Sequence, residues 1–263
     1  MIETAWKFEN ENIDKTDQLQ LLIWEEGISV LFFSKEGELA KCLTYLLSDT
    51  WNLEDARLIL EQSGALDQAN KVEKIWMTAP KHLIIPESLY EEGYANQWIR
   101  RFHFLKAEES LFSIPLKPQL DAFVIFPIPE RWQLMLKDNF KNAHFESLTK
   151  YALQRKEKDK TEGLHLHIIS LPKMVTVSLL ESQRFLSHHV LPYEQTEQLI
   201  YKLALLLQEK EIPQDLISFH LEGIAPFWNN LVEELTSFLK INGEVKGTKE
   251  MTINFIKNLS ACE

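Results

Sequence analysis

The sequence predicts an α/β fold in which a β-β-β-α-β-α order of elements occurs twice. In each half of the chain, three apolar runs of strand length are separated by very short turns, and an amphipathic helix follows them. Another strand and another helix then complete each half. We therefore expect two lobes of ordinary domain size, residues 1–158 and 159–263, with an insertion at about residues 80–120 in the first.

The first lobe is predicted from turn and capping signals. Glu25-Glu26-Gly27 and Lys35-Glu36-Gly37 are turn sequences between apolar runs, and Asn52 is suited to cap a helix. Residues 1–17 are polar, which predicts a loose lead-in. The predicted elements are strands Leu19–Trp24, Ile28–Ser34, Leu39–Tyr45 and Val72–Thr78, and the helix Leu53–Gln62.

The middle of the chain is less regular. Pro86 is placed to begin a helix, and residues 96–120 are aromatic, basic and proline-containing, which predicts an irregular insertion. Regular structure is expected to resume with strand Ala122–Pro127, helix Pro129–Asp138, a short strand at Ala143–Glu146 and a helix from Ser147 to about Lys156.

The second lobe follows a mixed-charge segment, Arg155–Glu162, which we interpret as a linker. Leu199, Leu203 and Leu206 recur at helical spacing, which predicts one apolar helix face. The predicted elements are strands Leu164–Ser170, Met174–Glu181, Arg184–Val190 and Leu216–Leu221, and helices Tyr193–Glu209, Pro226–Lys240 and Ile253–Leu259.

Composition argues against several classes of function. A formal charge of −11 and a pI near 5.3 oppose non-specific binding to nucleic acid, which depends on neutralising phosphates. Only two cysteines are present, which indicates a reducing compartment, and no apolar run reaches the ~20 residues of a membrane-spanning helix. The N-terminus has no signal-peptide pattern. We expect a cytoplasmic protein without direct contact with nucleic acid or membrane.

The duplicated order resembles the actin-like ATPase superfamily, whose two lobes are ribonuclease-H-like and face each other across a cleft. The resemblance is clearest where a strand runs into Phe126-Pro127-Ile128-Pro129 and Ser147 opens a helix. That passage looks like the type IV pilus assembly and cell-division members. The whole chain is similar to a family of uncharacterised bacterial proteins, a domain of unknown function, in which IWEEGISVLFF and WMTAPKHLIIPESLYEE stand at the same places.

The chain departs from that superfamily where ATP would bind. Active members carry an Asp-x-Gly turn in each lobe and a glycine pair in the adenosine motif. Here the first turn is Glu25-Glu26-Gly27, the second is Ser170-Leu171-Pro172-Lys173, and the adenosine motif retains only Gly223. Phosphate transfer needs metal and phosphate held together, so we expect neither ATP hydrolysis nor a cofactor. If a nucleotide binds, Glu26, Gly27 and Gly223 are the candidate residues.

Three histidines are candidates for a metal site. His165 and His167 share one face of a strand, and a ribonuclease-H strand order would place His220 on the adjacent strand. Three imidazoles can bind zinc, but no H-E-x-x-H or C-x-x-C spacing supports a metal. We therefore expect ordinary polar residues on a sheet face, and no metal.

The stretch from Trp98 to Lys106 is both aromatic and basic. Trp98, Arg100, Arg101 and Phe102 have the composition of an interface centre, which is enriched in aromatic residues and arginine. Core packing of Trp98 and Phe102 is an equal alternative, and stacking on single-stranded nucleic acid is a third.

These observations favour a non-catalytic scaffold or interaction protein with an unidentified protein partner. The first alternative is a nucleotide-binding switch with an unconventional site. The resemblance alone implies a second alternative, an accessory role in ribosomal RNA modification.

Overall fold

The computed structural model describes residues 2, 4–13, 15–158, 164–181, 184–210, 217–224, 233–234, 237–238 and 248–262. The chain forms two compact units, Met1–Tyr151 and Ala152–Cys262, and each is described here by itself. This division falls inside a helix, Leu148–Lys158, whereas the sequence placed the lobe boundary at the end of the same helix.

The described part of the first unit contains nine strands, three helices and the start of a fourth helix. Its helices are α1 (Leu53–Gln62), α2 (Ala95–Arg100), α3 (Glu130–Asn139) and α4 (Leu148–Lys158). Its strands are β1 (Thr4–Glu9), β2 (Gln18–Trp24), β3 (Gly27–Phe33), β4 (Leu39–Leu46), β5 (Val72–Met77), β6 (Leu83–Pro86), β7 (Glu109–Pro115), β8 (Ala122–Pro129) and β9 (His144–Ser147).

Six of these strands form the main sheet, in the order β1-β4-β3-β2-β5-β9. The pairs among β1 to β4 are antiparallel, and β5 joins β2 and β9 in parallel. Every residue of β3 is buried, as expected of a strand covered on both faces. The predicted strands and α1 are confirmed to within one or two residues, and Asn52 caps α1 by accepting a 3.0 Å hydrogen bond from the Asp55 N–H.

The prediction of a loose lead-in over residues 1–17 is wrong. Residues 4–9 form β1, which pairs antiparallel with β4 at the edge of the main sheet. In this strand Lys7 and Glu9 are exposed, while Trp6 and Phe8 are partly covered. Such a half-polar pattern is typical of an edge strand, and its partner is too distant in sequence to be identified from local patterns.

The prediction of an irregular insertion over residues 96–120 is also wrong. β6, β8 and β7 form a separate three-stranded sheet, and a small core that includes Ile85, Ile99, Leu105 and Ile125 packs with it. Pro86 ends a strand instead of beginning a helix; two 3₁₀ turns follow before α2. The fixed φ of proline suits both a strand end and a helix start, so sequence alone did not separate them.

The second unit contains one described sheet, in the order β12-β11-β10-β13, and the helices α5 and α6. Its elements are β10 (Leu164–Leu171), β11 (Met174–Glu181), β12 (Arg184–Pro192), α5 (Thr196–Glu209), β13 (Ile217–Gly223) and α6 (Thr248–Ser260). β13 is parallel to β10, and the other pairs are antiparallel. The order and pairing match those of β4-β3-β2-β5 in the first unit.

The core of the second unit lies between its sheet and α5. Leu166 and Ile168 of β10 pack in one buried cluster with Leu199, Leu203 and Leu206 of α5. The helix begins at Thr196, three residues later than predicted. The Tyr193 N–H instead donates a 2.9 Å hydrogen bond to the Lys173 carbonyl, in the turn between β10 and β11.

Parts of the predicted second lobe lie outside the described residues. α4 continues through Lys158, so the first residues of the predicted linker are helical, while 159–163 are not described. The predicted helix Pro226–Lys240 falls largely on undescribed positions. Among the residues that the structure describes, no helix has the length and apolar character needed to cross a membrane.

Candidate functional site

Glu26 and Gly27 lie at the hairpin between β2 and β3, where Trp24 pairs with Gly27. A Cβ atom on Gly27 would lie 2.3 Å from the Trp24 ring and 2.7 Å from the Tyr45 carbonyl oxygen. Burial raises the pKa of the Glu25 carboxyl, and the neighbouring Glu26 carboxylate raises it further. Packing against Trp24 therefore explains the glycine of this turn without a phosphate ligand.

Gly223 lies at the end of β13, in the second unit, opposite Ser170 of β10. Its φ angle is +137°, and a Cβ atom there would lie 2.0 Å from the Ser170 carbonyl oxygen. That same oxygen accepts a 2.9 Å hydrogen bond from the Ile224 N–H. Only glycine fits this approach of two backbones, so Gly223 too has a structural explanation.

The aromatic-basic stretch forms part of an exposed surface on and after α2. A pocket of about 270 Å³ is lined by Leu89, Tyr94, Trp98 and Arg101, among others. Trp98 is partly buried against the small core, and the Arg101 guanidinium lies 5.1 Å from its ring centroid, as in a cation–π contact. The remaining members are exposed: Arg100, Phe102 and Phe104, of which Phe102 is 64% and Phe104 82% exposed.

We call Leu89, Tyr94, Trp98, Arg100, Arg101, Phe102 and Phe104 the α2 surface. Nine large hydrophobic side chains are exposed among the described residues, and four of them belong to this short stretch. The alternative that Phe102 packs in the core is therefore wrong, whereas Trp98 does contact the core while its ring also borders the pocket.

A second cluster lies on the sheet of the second unit. His167 of β10 pairs in register with His220 of β13, and Glu222 lies two residues further on the same strand. His167 Nε2 lies 2.6 Å from Glu222 Oε1, and His220 Nε2 lies 3.4 Å from Glu222 Oε2. All three ligand atoms lie within 4.8 Å of one another. We call these residues the His–His–Glu cluster.

The His–His–Glu cluster is buried at one end and accessible at the other. The side chains of His167 and Glu222 are 4% and 5% exposed, whereas that of His220 is 40% exposed. Burial alone would raise the pKa of the Glu222 carboxyl, but the charge and hydrogen bonds of the two histidines outweigh it and lower that pKa well below its usual range.

Polar side chains continue across the same face of this sheet. The register aligns His220, His167, Ser178 and His188 on four neighbouring strands, and Ser178 Oγ lies 2.8 Å from His188 Nδ1. Leu166 and Ile168 point to the opposite, α5-covered face. One face of the sheet is thus apolar and the other carries a row of polar groups.

Two of the three clustered residues, His167 and His220, were considered as metal ligands from the sequence, although ordinary polar residues were expected. The expected adjacency of His167 and His220 is confirmed by their register. The third member is Glu222, and the described His165 is not among the clustered residues. Only histidines were considered together, although the spacing His220-Leu221-Glu222 places an imidazole and a carboxylate on one face of a strand.

The fold is shared with solved structures of low sequence identity. A crystal structure from Bacteroides thetaiotaomicron VPI-5482, of a protein with an actin-like ATPase fold and unknown function, is 19% identical. The match covers 95% of this chain and 99% of that chain, with a TM-score of 0.74. The PilM–PilN type IV pilus biogenesis complex is 14% identical over 93% of this chain and 97% of that chain, with a TM-score of 0.58. The expected α/β fold of ribonuclease-H-like, actin-like type is confirmed.

A search of curated protein sequences finds no match. A family model described as "Protein of unknown function (DUF3822)" matches residues 8–241, which is most of the chain. The match confirms the resemblance drawn from the hairpin and the passage after it. The chain belongs to this family of proteins of unknown function, with an actin-like ATPase fold.

Proposed function

We propose that the protein is a non-catalytic interaction module and that it binds a protein partner through the α2 surface. The observation that carries this proposal is that exposed Leu89 and Tyr94 line one pocket, and that exposed Phe102 and Phe104 follow its lining residue Arg101 in the chain. Single exposed apolar residues are common on proteins, but contiguous ones rimmed by polar groups are typical of interaction sites.

The charge of the α2 surface indicates the kind of partner segment. The protein is acidic overall, yet α2 ends in two exposed arginines, Arg100 and Arg101. The guanidinium of Arg101 lies over the Trp98 ring, and an arginine at an exposed position can bind a carboxylate with two parallel hydrogen bonds. We infer a partner segment that carries an apolar side chain for the pocket and an acidic group beside it.

One solved structure of the same fold is a complex between two type IV pilus biogenesis proteins, PilM and PilN. The actin-like fold is therefore compatible with a stable protein partner. The nucleotide-binding alternative has less support, because Gly27 and Gly223 are both explained by packing. A cytoplasmic bacterial setting and the origin of the two units by internal duplication belong to the proposal as well.

Site-specific crosslinking tests the proposed surface. A photoreactive amino acid at Phe102 should capture a partner in cells of the source organism, whereas the same probe at Tyr201, on α5 in the second unit, should not. Tyr201 is a matched control because it is 64% exposed, like Phe102. The captured protein is then purified and its Kd measured directly.

Charge reversal of Arg100 and Arg101 to glutamate should weaken that Kd by at least about 30-fold, since a central arginine can carry about 2 kcal/mol or more. Arg57→Glu, at an exposed position on α1, should leave the Kd unchanged. Equal affinity of wild type and the double variant would refute the α2 surface as the interface. Concentration-dependent dimerisation abolished by the double variant would identify a second copy of the chain as the occupant instead.

A further inference from the structure

The backbone holds the His–His–Glu cluster in place before any ligand arrives. His167 and His220 are aligned by the parallel pairing of β10 and β13, so both imidazoles lie on one face of the sheet. Gly223 allows β13 to approach the Ser170 backbone at the next position, which fixes Glu222 close to β10. The three side chains therefore converge because of strand register and a glycine, not through flexible loops.

The distances in the His–His–Glu cluster are close to those of a coordination sphere. Zinc lies about 2.0–2.2 Å from histidine nitrogens and carboxylate oxygens, so two ligand atoms in a tetrahedral site are roughly 3.3 Å apart. His220 Nε2 lies 3.4 Å from Glu222 Oε2, and His167 Nε2 lies 2.6 Å from Glu222 Oε1. A side-chain adjustment of less than about 1 Å brings the latter pair to the required spacing.

The chemistry of the three groups narrows the ligand to a divalent transition metal. Imidazole nitrogens suit zinc, copper, iron and nickel, while magnesium and calcium prefer oxygen ligands alone. Two histidines and one glutamate form an established open zinc site, in which a water or substrate takes the fourth position. The Glu222 carboxyl offers an oxygen ligand beside the two imidazoles, and the exposed side of His220 leaves a route for the ion.

We propose that His167, His220 and Glu222 bind one divalent transition metal ion, with zinc the best match. Without metal, the 2.6 Å contact between His167 and Glu222 is a short hydrogen bond that holds the carboxylate in the protein interior. Metal binding requires the lone pair of His167 Nε2, so the proton between this nitrogen and Glu222 must pass to solvent or to Nδ1 of the same ring. The ion then takes the place of this proton between the two side chains.

The test is a metal titration of the full chain, purified without a polyhistidine tag and stripped with a chelator. Zinc is titrated in competition with a chromophoric chelator, and Co²⁺ is added to a second sample because its absorption spectrum reports tetrahedral coordination. A third, anaerobic sample receives Fe²⁺, since two histidines and a carboxylate also suit that ion. We expect one equivalent of zinc, a tetrahedral cobalt spectrum and weaker binding of iron.

Two variants and one matched control locate the site. His220→Ala should weaken zinc binding by more than about 100-fold, because even changes outside the first coordination sphere cost about 10–100-fold. Glu222→Gln removes the charge while keeping the shape of the side chain and should have the same effect. His165→Ala, on the same face of β10 but outside the His–His–Glu cluster, should bind zinc like wild type.

Three results of the metal titration would overturn the proposed metal site. Absence of stoichiometric zinc binding in the wild type, or equal binding in wild type and His220→Ala, would overturn the proposal. Equal losses in His165→Ala and His220→Ala would also overturn it, because they would place the metal elsewhere. If Glu222→Gln does not fold, His220→Ala decides alone, since its partly exposed side chain can be removed with little loss of packing.

Discussion

Replacement of Gly223 by alanine tests the backbone arrangement that explains this residue. The φ angle of +137° disfavours any L side chain, and residues held in such regions cost about 1–3 kcal/mol. The added Cβ atom would lie 2.0 Å from the Ser170 carbonyl oxygen, and overpacking of this kind costs typically about 1–3 kcal/mol more. We therefore expect Gly223→Ala to lower the free energy of unfolding of the second unit by roughly 2–6 kcal/mol.

Alanine substitutions at two other glycines separate the cost of the positive φ angle from the cost of the collision with the added Cβ atom. Gly37 has a φ angle of +77°, and an added Cβ atom would meet no residue beyond its two chain neighbours within 4 Å. Gly37→Ala should therefore cost only the conformational part, about 1 kcal/mol. Gly93 has open space and no positive φ, so Gly93→Ala should change stability by less than about 0.5 kcal/mol. The three effects should rank Gly223 above Gly37 above Gly93.

Calorimetry measures the loss of stability, and hydrogen exchange with mass spectrometry assigns it to a unit, because a two-unit chain need not unfold in one step. In Gly223→Ala, peptides from β10 and β13 should lose protection first. If Gly223→Ala is as stable as Gly93→Ala, the close approach to Ser170 is wrong. The glycine would then need a different explanation, and the nucleotide-binding alternative would regain support.

The other predictions concern the core and one partly buried carboxyl. Leu203→Ala should cost about 2–5 kcal/mol in chemical denaturation, because Leu203 is fully buried between α5 and the sheet. Glu197→Ala, on the exposed side of α5, should cost less than about 0.5 kcal/mol. Equal small effects would mean that the helix face is misassigned. The raised folded-state pKa of Glu25 means that its contribution to stability is present below its unfolded value near 4.5 and is lost as pH rises through the folded pKa. Glu25→Gln should therefore raise the melting temperature at pH 7 and by less at pH 4.5, with exposed Glu36→Gln as the control; an equal gain at both pH values would contradict this ionisation cost.

Sequence patterns were sufficient for elements whose signals are local. Glu25-Glu26-Gly27 between two apolar runs identified a hairpin, and Asn52 before Leu53 identified a capped helix start. The strand that follows each helix was also recognised, because a short apolar run was bounded by breaking residues. These features need no knowledge of distant partners.

Non-local pairing explains what sequence reasoning missed in the fold. β1 depends on β4, more than thirty residues away in the chain, for its hydrogen bonds. β7 and β6 form a sheet only because β8 lies between them. β8 was predicted as a strand, but Pro115 and Pro118 obscured β7. Proline is common at strand ends as well as in loops, so composition alone favoured irregular structure there.

In the His–His–Glu cluster, the sequence did not indicate Glu222 because its burial depends on the fold. A glutamate is normally expected to be exposed, and nothing local indicates that Glu222 is buried beside His167. The α2 surface was easier to identify, because aromatic and arginine residues are adjacent in the sequence. Its pocket could not be foreseen, since Leu89 and Tyr94 reach Trp98 only through the 3₁₀ turns before α2.

We propose that this actin-like fold acts through its surface and not through a bound nucleotide. The most direct measurement is the melting temperature of the full chain with and without ATP and Mg²⁺ at about 1 mM, where a ligand at about 100 times its Kd would add about 2.7 kcal/mol. We expect no change beyond experimental error. Gly223→Val is unsuitable as a control because its side chain would collide with Ser170 whether or not nucleotide binds. A saturable increase in melting temperature that Glu26→Gln abolishes would contradict this proposal and establish a nucleotide site at the first hairpin.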